Sequence, residues 1–419
     1  MPVLEGVLQR KIAALALPLA VVLPGGRRVG PRDAALTLHL NELSPLAPLA
    51  QGQIGRVARA YVEGRLDFEG SLRSLMAIAA RMIEADPVGA PPPVVSLAWW
   101  REILFAARSR AHHRPQLDAR QVQFHYDVSD DFYRLWLDPA QVYSCAYYAA
   151  ADMTLAQAQQ AKLDHICRKL MLREGDRFLD VGAGWGALLL HAAEQYGARG
   201  HGITLSRNQH AHVNRRIDER GLRGRVTMEL RDYRELPETA RFDKIASVGM
   251  FEHVGRAPLP DYFAKLHRLL EPGGLLMNHG ITAGGTRNDR LGAGMGDFIE
   301  RYIFPGGELL HVSHVLKVMS EAHLEPLDVE NLRPHYARTL WAWSDALESR
   351  LPQARQAASE TVVRAFRLYL AGSAMCFEQG WISLHQMLAA RPSGKVADGP
   401  MRGAQSPFPF NRGYMYPAP

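Results

Sequence analysis

The stretch Phe178-Leu179-Asp180-Val181-Gly182-Ala183-Gly184-Trp185-Gly186 decides the fold of this chain. An apolar run typical of a buried strand ends in an acid, and three glycines at alternate positions then lead into a helix. Because glycine lets the backbone approach a ligand closely at a helix N-terminus, the stretch predicts a cofactor-binding loop. A dinucleotide-binding protein would place its third glycine one residue later, in the pattern G-x-G-x-x-G.

The next strand helps to identify the cofactor. The segment Gly202-Ile203-Thr204-Leu205-Ser206 stands where a dinucleotide-binding fold carries the acid that holds the ribose. Asp180, directly before the loop, instead suits a cofactor whose amino-acid part carries an ammonium group. These features favour S-adenosylmethionine (SAM) over NAD, and a tight turn that binds no ligand is the third interpretation.

The segments around this loop alternate between strand and helix patterns, which indicates an α/β fold with a mostly parallel sheet. The predicted strands are 177–181, 199–204, 226–230, 242–248 and 275–279. The predicted helices are 187–196, 207–220, 259–270, 312–322 and 353–378.

The first 85 residues are expected to form a separate small α/β unit, with a helical pattern over 53–85. Its apolar run Ile12–Leu23 is too short to cross a bilayer, which takes about 20 residues. A signal peptide and a buried first helix or strand are the two interpretations of this run.

A proline-rich linker, 86–93, is followed by a basic aromatic segment, 97–114, that contains Trp99 and Trp100. Such a helix either lies on an anionic membrane or packs its tryptophans between two domains. The tail lacks apolar periodicity, which predicts disorder. The predicted divisions are an N-terminal accessory domain (1–85), the linker and basic helix (86–118), a catalytic domain (119–390) and the tail (391–419).

The composition narrows the class of protein. Three cysteines without a C-x-x-C pair exclude a disulfide framework and argue against a metal site, so a reducing, cytoplasmic setting is expected. The formal net charge of +6 favours an anionic partner, such as a membrane surface, a phospholipid headgroup or a nucleic acid. A nucleic-acid methyltransferase usually carries an Asn- or Asp-Pro-Pro-aromatic motif, and its absence from the sequence favours lipid over nucleic acid.

Further motifs succeed one another along the chain. They are His125-Tyr126-Asp127-Val128-Ser129-Asp130-Asp131-Phe132-Tyr133, Tyr143-Ser144-Cys145-Ala146-Tyr147-Tyr148, the glycine loop, Gly202-Ile203-Thr204-Leu205-Ser206-Arg207-Asn208-Gln209, Met250-Phe251-Glu252-His253-Val254-Gly255, Tyr302-Ile303-Phe304-Pro305-Gly306-Gly307-Glu308-Leu309 and Tyr336-Ala337-Arg338-Thr339-Leu340. From about 119 to 390 the chain resembles the cyclopropane-fatty-acyl-phospholipid synthases, which belong with the mycolic acid cyclopropane synthases. Residues 61–66 resemble the extra, lipid-binding N-terminal domain of the phospholipid-acting members.

This resemblance implies a Rossmann-like SAM-dependent methyltransferase fold, with a seven-stranded, mostly parallel sheet and helices on both faces. It also implies the reaction. The cis double bond of an unsaturated phospholipid acyl chain attacks the methyl carbon of SAM, and a carbocation forms. A bound bicarbonate then removes a proton from the new methyl group, and a cyclopropane ring closes.

The resemblance assigns roles to individual residues. The positions expected around SAM are Tyr143, Ser144, Phe178, Asp180, Gly182, Gly184, Trp185, Gly186, Thr204, Leu205, Gln209 and Tyr233, with Asp232 facing the adenine. The positions expected to hold bicarbonate beside the reacting carbon are Cys145, Glu252, His279, Ile281 and Tyr336. Glu252 would accept the bicarbonate hydroxyl, and it is the alternative base if bicarbonate is absent.

Aromatic faces stabilise a carbocation, and Tyr126, Phe132, Tyr133 and Tyr336 either serve this purpose or are plain core. Cys145 as a nucleophile is disfavoured, because methyl transfer to an alkene needs no covalent enzyme intermediate. Two departures from the family pattern are notable. Gly280 replaces a common Thr, which is expected to loosen the ion site, and Ser373 replaces a Cys once suspected of catalysis.

Two other functions stay open at this point. The same carbocation could be quenched as a methyl branch or a methylene group, or the domain could be a non-catalytic lipid-binding protein. The resemblance further suggests a homodimer that associates peripherally with the inner face of the membrane.

Overall fold

The computed structural model describes residues 2–83, 87–88, 129–286, 291–392, 409 and 411–416. Several predictions lie outside the described residues, namely most of the linker 86–93, the basic aromatic segment 97–114, Tyr126 and the tail residues 393–408. The domain boundaries near 85 and 118 also fall outside the described ranges and stay predictions.

The N-terminal unit contains a four-stranded sheet in the order β2-β1-β3-β4, in which β1 and β3 are parallel. Its elements are α1 (Pro2–Ala14), β1 (Leu19–Val22), β2 (Arg28–Val29), β3 (Leu36–Leu40), α2 (Leu46–Ala50), α3 (Ile54–Val62), β4 (Leu66–Glu69) and α4 (Leu72–Met82). The apolar run 12–23 supplies the end of α1 and all of β1, where Ile12 and Leu19 are buried. This placement agrees with a buried helix and strand.

The prediction of a continuous helical segment over 53–85 is wrong, because β4 interrupts it. Gly64 and Gly70 have φ angles of +74° and +127°, which a helix does not accommodate. The residues between them pair antiparallel with β3, Leu66 opposite Leu40 and Phe68 opposite Leu38. Apolar residues at helical spacing occur in α3 and α4, on either side of β4, and the sequence therefore predicted a helix across this short strand.

The second sheet has seven strands in the order β10-β11-β9-β8-β5-β6-β7. Only β11 runs antiparallel to its neighbours, so the predicted mostly parallel sheet is confirmed. The elements are α5 (Asp130–Arg134), α6 (Leu155–Lys169), β5 (Arg177–Val181), α7 (Ala187–Tyr196), β6 (Arg199–Thr204), α8 (Arg207–Glu219), β7 (Val226–Leu230), β8 (Phe242–Val248), α9 (Leu259–Leu269), β9 (Leu270–Ala283), α10 (Met295–Tyr302), α11 (Val312–Glu321), β10 (Glu325–Asn331), α12 (Arg333–Glu348), α13 (Leu351–Ala357), α14 (Glu360–Glu378) and β11 (Ile382–Ala390).

Helices cover both faces of this sheet. Successive strand residues point to opposite faces, and Phe178 and Ala246 pack against α6, α7 and α8. Their neighbours Leu179 and Ile245 pack on the other side against α9 and α11. Two apolar layers therefore enclose the strands whose carboxyl ends carry the glycine loop.

Two elements of the structure differ from the predicted ones, one in length and the other in being divided into two helices. The strand predicted at 275–279 runs from Leu270 to Ala283. The helix predicted at 353–378 is two helices, because Ala358 is extended and Ser359 starts a new helix by accepting a hydrogen bond from the Val362 backbone.

The prediction that the whole tail is disordered is wrong for residues 411–416. Met415 is fully buried in the core beneath α6, and its carbonyl lies 3.0 Å from Nδ1 of His165. Arg412 also donates to the Leu327 carbonyl at 2.6 Å. These few contacts anchor the turn without a repeating apolar pattern, so the sequence did not predict it. No helix among the described residues is long and apolar enough to span a membrane.

The N-terminal unit packs directly on α10 and α14. The Gly55 amide donates to the Ala293 carbonyl at 2.9 Å, and a Cβ at Gly55 would lie 2.0 Å from the Gly294 oxygen. Arg364 of α14 donates to the Tyr61 carbonyl and to Asp67. One apolar cluster consequently runs through both units.

Candidate active site

The glycine loop comes directly after β5, as the sequence predicts. Gly182, Gly184 and Gly186 have φ angles of +77°, +56° and +79°, a region that other residues rarely adopt. Gly182 and Ala183 both donate backbone hydrogen bonds to the Ile203 carbonyl on β6. The loop is therefore held against the edge of the sheet. Its three glycines have positive φ angles, which glycine adopts without strain.

A cavity of about 160 Å³ opens beside this loop, and we call it the cofactor cavity. Eleven residues predicted to surround SAM line it, namely Tyr143, Ser144, Asp180, Gly182, Gly184, Trp185, Thr204, Leu205, Gln209, Asp232 and Tyr233. Gly186 lies outside the lining and caps α7 instead. Phe178 was predicted here incorrectly. It lies two residues upstream of Asp180 on β5, and its fully buried ring belongs to the core under α7.

The cofactor cavity contains opposite charges. Asp180 is 2% exposed, and burial raises the pKa of its carboxyl to about 7. Lys162 of α6 is equally buried, and burial lowers its pKa to about 8. Its ammonium donates to Oγ of Ser144 at 2.9 Å. A ligand with both an ammonium and a carboxylate suits such a lining.

Two further polar groups complete this cavity. Gln209 accepts a hydrogen bond from Thr204 at 2.8 Å, while its buried Nε2 has no partner among the described residues and can donate to a ligand. The Asp232 carboxylate is paired with Arg234, so its charge is already balanced at the cavity edge. The residues present therefore fit SAM.

A second cavity, of about 260 Å³, is almost entirely apolar, and we call it the apolar cavity. It begins among Leu36 and Leu38 of the N-terminal sheet and passes Met76 of α4 and Gly372 of α14. It ends at the carboxyl edge of the large sheet. Both units contribute to its wall, so neither encloses it alone.

Glu252 and His279 are buried polar residues in the lining of the apolar cavity. Glu252, located just after β8, accepts a hydrogen bond from the Ile281 amide at 2.6 Å. Its other oxygen, Oε2, and both ring nitrogens of His279 are buried without a hydrogen-bond partner among the described residues. Cys145 and Tyr336 line the same cavity. All five residues predicted for the ion site therefore belong to the lining of one cavity.

These groups fit a bicarbonate ion. Burial raises the pKa of Glu252 to about 7, and burial together with the charges of Lys162 and Lys169 holds the pKa of His279 well below its usual range. A neutral His279 has one N–H to donate, and a carboxylate oxygen of Glu252 can accept a hydroxyl. Buried polar atoms normally have partners, so unpaired ones of both kinds indicate a small polar ligand.

The two cavities share part of one wall. Tyr143, Ser144, Gly249 and His253 line both. The two cavities consequently adjoin at these four residues. Tyr143 and Ser144 were predicted from the sequence to bind SAM, whereas Gly249 and His253, which flank Glu252, were not.

The aromatic residues that were considered for stabilising a carbocation fall into two groups, core residues and a cavity-lining residue. Phe132 and Tyr133 are fully buried in an aromatic cluster with Trp136 and Phe366 and line neither cavity, so they are core. Tyr336 lines the apolar cavity. Tyr126 lies outside the described residues.

The cysteines are free and buried. Burial raises the pKa of Cys145 far above its usual range, which keeps the thiol protonated and weakens the nucleophile hypothesis further. Ser373 and Cys376, both on α14, line the apolar cavity.

The expectation that Gly280 loosens the ion site is wrong. A Cβ at this position would lie 2.2 Å from the Phe251 ring and 2.8 Å from Oε1 of Glu252. The Phe251 ring fills the space that a side chain would take, so the glycine permits a close approach instead of leaving a gap.

Two buried polar residues of the site escaped sequence analysis. Lys162 occurs in an ordinary amphipathic helix pattern, and no motif marks it. Gln386 lies opposite His279 in the β9–β11 ladder, is fully buried, and has no side-chain partner among the described residues. Opposite Gln386 on β10, Glu330 binds Lys169 and His165. A polar row therefore lies beside the ion site.

Comparisons with known proteins agree with this geometry. A family model described as mycolic acid cyclopropane synthetase matches residues 113–387. A Pseudomonas putida protein named probable fatty acid methyltransferase is 43% identical over 410 residues, which cover 97% of this chain and 98% of the relative.

Two solved structures are also similar. The cyclopropane synthase MmaA2 from Mycobacterium tuberculosis is 37% identical, with a TM-score of 0.60 over 65% of this chain and 98% of that chain. The mycolic acid cyclopropane synthase CmaA1, complexed with SAH and CTAB, is 38% identical, with a TM-score of 0.61 over 65% of this chain and 98% of that chain.

Proposed function

Because this chain belongs to the mycolic acid cyclopropane synthetase family, we propose that it converts cis-unsaturated acyl chains of membrane phospholipids into cyclopropane fatty acids. The chain is a SAM-dependent methyltransferase of that family. The phospholipid acceptor, the ring product and the use of bicarbonate are the proposal.

The observation that carries the proposal is the wall shared by the two cavities. SAM supplies an electrophilic methyl group when bound in the cofactor cavity. An acyl chain is long and apolar, and the apolar cavity extends from the shared wall into the N-terminal unit. Tyr143 and Ser144 would therefore separate donor and acceptor only at the point where they react.

The residues at the polar end would control the loss of the proton after methyl transfer. Glu252, His279 and Tyr336 would hold a bicarbonate, which would provide a base next to the new methyl group. The unpaired Oε2 of Glu252 is placed to accept a proton, and the neutral His279 is placed to donate a hydrogen bond. If bicarbonate is not used, Glu252 itself is the base, because its pKa of about 7 suits proton transfer near neutral pH.

The apolar lining would protect the carbocation. Water would trap the cation as an alcohol, and the apolar lining supplied by both units would limit the access of water to the acyl chain. The rings of Tyr143, Tyr336 and Tyr369 line this cavity, and aromatic faces attract positive charge.

The phospholipid acceptor is supported by two features. The formal net charge of +6 favours an anionic surface, where each nearby Lys or Arg contributes about 1 kcal/mol. The apolar cavity reaches the N-terminal sheet, which supports the lipid-binding role expected of this unit. Peripheral membrane association and a homodimer stay predictions.

Product analysis tests the proposal. The purified protein is incubated with SAM, bicarbonate and vesicles of cis-unsaturated phospholipid, and the acyl chains are examined by mass spectrometry and proton NMR. A gain of one CH2 with upfield cyclopropane protons is expected. No gain from vesicles, but a gain from free fatty acid, would refute the phospholipid acceptor.

A second product class has one observation in its favour. The Pseudomonas putida relative is named a probable fatty acid methyltransferase, which is compatible with a methyl-branched or methylene product. A gain of mass without cyclopropane protons in the same assay would favour this alternative.

A further inference from the structure

Gln386 of β11 is a buried amide that the proposed reaction does not use. Its side chain is fully buried, and neither Nε2 nor Oε1 has a hydrogen-bond partner among the described residues. An amide carries two N–H donors and a carbonyl acceptor, and leaving these groups unpaired in the interior is unfavourable. A glutamine in this situation indicates a neighbouring polar group with which it pairs.

His279 is the polar neighbour that the sheet places beside Gln386. The two residues are directly opposite each other in the antiparallel ladder of β9 and β11, where Cβ atoms are about 4.5–5.5 Å apart and side chains share a face. Met277 and Leu388, two positions along each strand, both pack in the apolar layer beneath α6, which identifies this face. Both ring nitrogens of His279 also lack a partner in the part of the chain that the structure describes.

The neighbour on the other side, Glu330 of β10, does not depend on this amide. Its carboxylate accepts a hydrogen bond from Lys169 at 2.5 Å and lies 2.7 Å from Nε2 of His165. Gln386 lines neither the cofactor cavity nor the apolar cavity. Any influence of Gln386 on the ion site therefore passes through His279.

The position of one proton decides what His279 can offer to an anion. Burial together with the charges of Lys162 and Lys169 holds the pKa of His279 well below its usual range, so the ring is neutral and carries one N–H. The nitrogen that faces the ion site can donate only if it carries this proton, and the second nitrogen is then an acceptor. Since the hydrogen bond made by one nitrogen fixes the form of the other, a donor beside the second nitrogen would select this tautomer.

We propose that Gln386 is a positioning residue for His279. Its amide donates to the ring nitrogen that faces away from the ion site and so keeps the proton on the nitrogen that faces the ion. Gln386 contacts neither the ion nor the acyl chain. The inference rests on the bicarbonate site of the proposed function, and it is independent of the methyl-donor site and of the lipid headgroup.

NMR measures the tautomer of His279 without lipid, SAM or bicarbonate. The protein is labelled with 15N in its histidines, and the resonances of His279 are identified by their loss in His279→Gln. One ring nitrogen of His279 should be protonated and the other an acceptor. Gln386→Met removes the amide and keeps a similar shape, so both nitrogens should shift to intermediate values as the two tautomers exchange. Gln386→Leu replaces this variant if it does not fold.

Turnover at varied bicarbonate concentration gives a second readout. Gln386→Met should need roughly tenfold more bicarbonate for half-maximal turnover, because the ion must itself select the donating tautomer. Saturating bicarbonate should restore most of the lost turnover, which a distorted site would not allow. The affinity for S-adenosylhomocysteine should be unchanged, because Gln386 does not line the cofactor cavity.

Asn278→Leu is the matched control. Asn278 precedes His279 on β9, is equally buried, and likewise has no side-chain partner within the described ranges. Its side chain is on the opposite face, where Leu276 packs in the layer against α9 and α11. This variant should leave the His279 resonances and the bicarbonate dependence unaltered.

Two results would overturn the positioning role. One is an unchanged set of His279 resonances in Gln386→Met, and the other is a loss of turnover in this variant that saturating bicarbonate does not restore. Turnover of the unaltered protein that is independent of bicarbonate would instead refute the bicarbonate site of the proposed function. The NMR measurement would still decide whether Gln386 controls the ring of His279.

Discussion

The two cavities recognise their contents by different physical means. The cofactor cavity places buried charges, Asp180 and Lys162, beside a glycine loop at the edge of one sheet. The apolar cavity draws its wall from both units, is lined mostly by apolar side chains, and includes the buried polar pair Glu252 and His279. In the proposed function, charge pairing would select the donor in the first cavity, and length and apolar surface would select the acceptor in the second.

Because the two cavities differ in this way, we expect that mutations can change cofactor binding and turnover independently. The cavities meet only at Tyr143, Ser144, Gly249 and His253. A change in one cavity away from this shared wall should therefore leave the function of the other intact. Substitutions in each cavity test this separation, beginning with the largest expected effect.

Two buried carboxyls provide the strongest test. Glu252→Gln removes the carboxylate that, in the proposed reaction, either orients the bicarbonate base or is itself the base, so turnover should fall roughly 100- to 10,000-fold. S-Adenosylhomocysteine affinity should stay within about twofold, because one conservative change outside the cofactor cavity removes no contact to the ligand. Turnover is measured on vesicles and affinity by calorimetry.

Asp180→Asn is the matched control, because this carboxyl is equally buried but lies in the cofactor cavity. It should weaken S-adenosylhomocysteine binding roughly tenfold or more through loss of the ammonium partner. Near-normal turnover in Glu252→Gln, or a large loss of its cofactor affinity, would contradict the separation of the cavities.

The pH dependence of turnover should report Glu252. Burial raises its pKa to about 7, so the carboxyl is protonated below this pH and ionised above it. Only the ionised form accepts a proton. Turnover at saturating SAM should therefore fall about tenfold per pH unit below 7 and level off above it.

Saturating SAM is required because burial also raises the pKa of Asp180 to about 7. A bound ammonium group would keep that carboxyl ionised and remove it from the profile. Glu252→Gln should have a flat profile over the same range. If the acidic limb persists in this variant, another group controls it.

Narrowing the apolar cavity should affect the acceptor alone. Gly372 of α14 lines this cavity, and Gly372→Leu would project into it. Turnover on long acyl chains should fall by about tenfold, in keeping with a few kcal/mol or less for an overpacked site. Gly372→Ala is the control, because its Cβ would make an ordinary contact with Met76 at 3.9 Å. A weaker affinity of Gly372→Leu for S-adenosylhomocysteine would show that the cavities are coupled.

The smallest effect is expected from the C-terminal turn, which lines neither cavity. Met415 is fully buried, so Met415→Ala should lower the free energy of unfolding by about 2–3 kcal/mol through lost packing. Chemical denaturation measures this change. Activity and cofactor affinity at 25 °C should be unaltered, and unchanged stability would show that the turn is not docked.

The difference between the cavities also explains what could be predicted from the sequence. The cofactor cavity is built from local patterns, because the strand, the glycines and Asp180 lie within ten consecutive residues, 177–186. Its loop and the parallel strands around it were predicted correctly. Phe178 was misplaced, since strand alternation shows which face a residue occupies but not how far it lies from the cavity.

The apolar cavity depends on contacts between distant segments. Leu38, Met76 and Gly372 carry no chemistry and are separated by up to 334 positions, so no local pattern relates them. Lys162 has the spacing of a surface residue, and only the packing of α6 against the sheet buries it. The missing side chain of Gly280 suggested an empty space at the ion site. The ring of Phe251 fills that space, and it could not be predicted because it comes from the end of a different strand.

The most direct test of the account traces the methyl group itself. The protein is supplied with SAM carrying a trideuterated methyl group and with cis-unsaturated phospholipid vesicles, and the labelled acyl chains are analysed by mass spectrometry and NMR. The account predicts a cyclopropane ring that retains two of the three deuterium atoms, because one is removed by the base at the Glu252 end of the apolar cavity. Retention of all three in a methyl branch would contradict the base step, and the absence of label from the acyl chains would contradict the transfer across the shared wall.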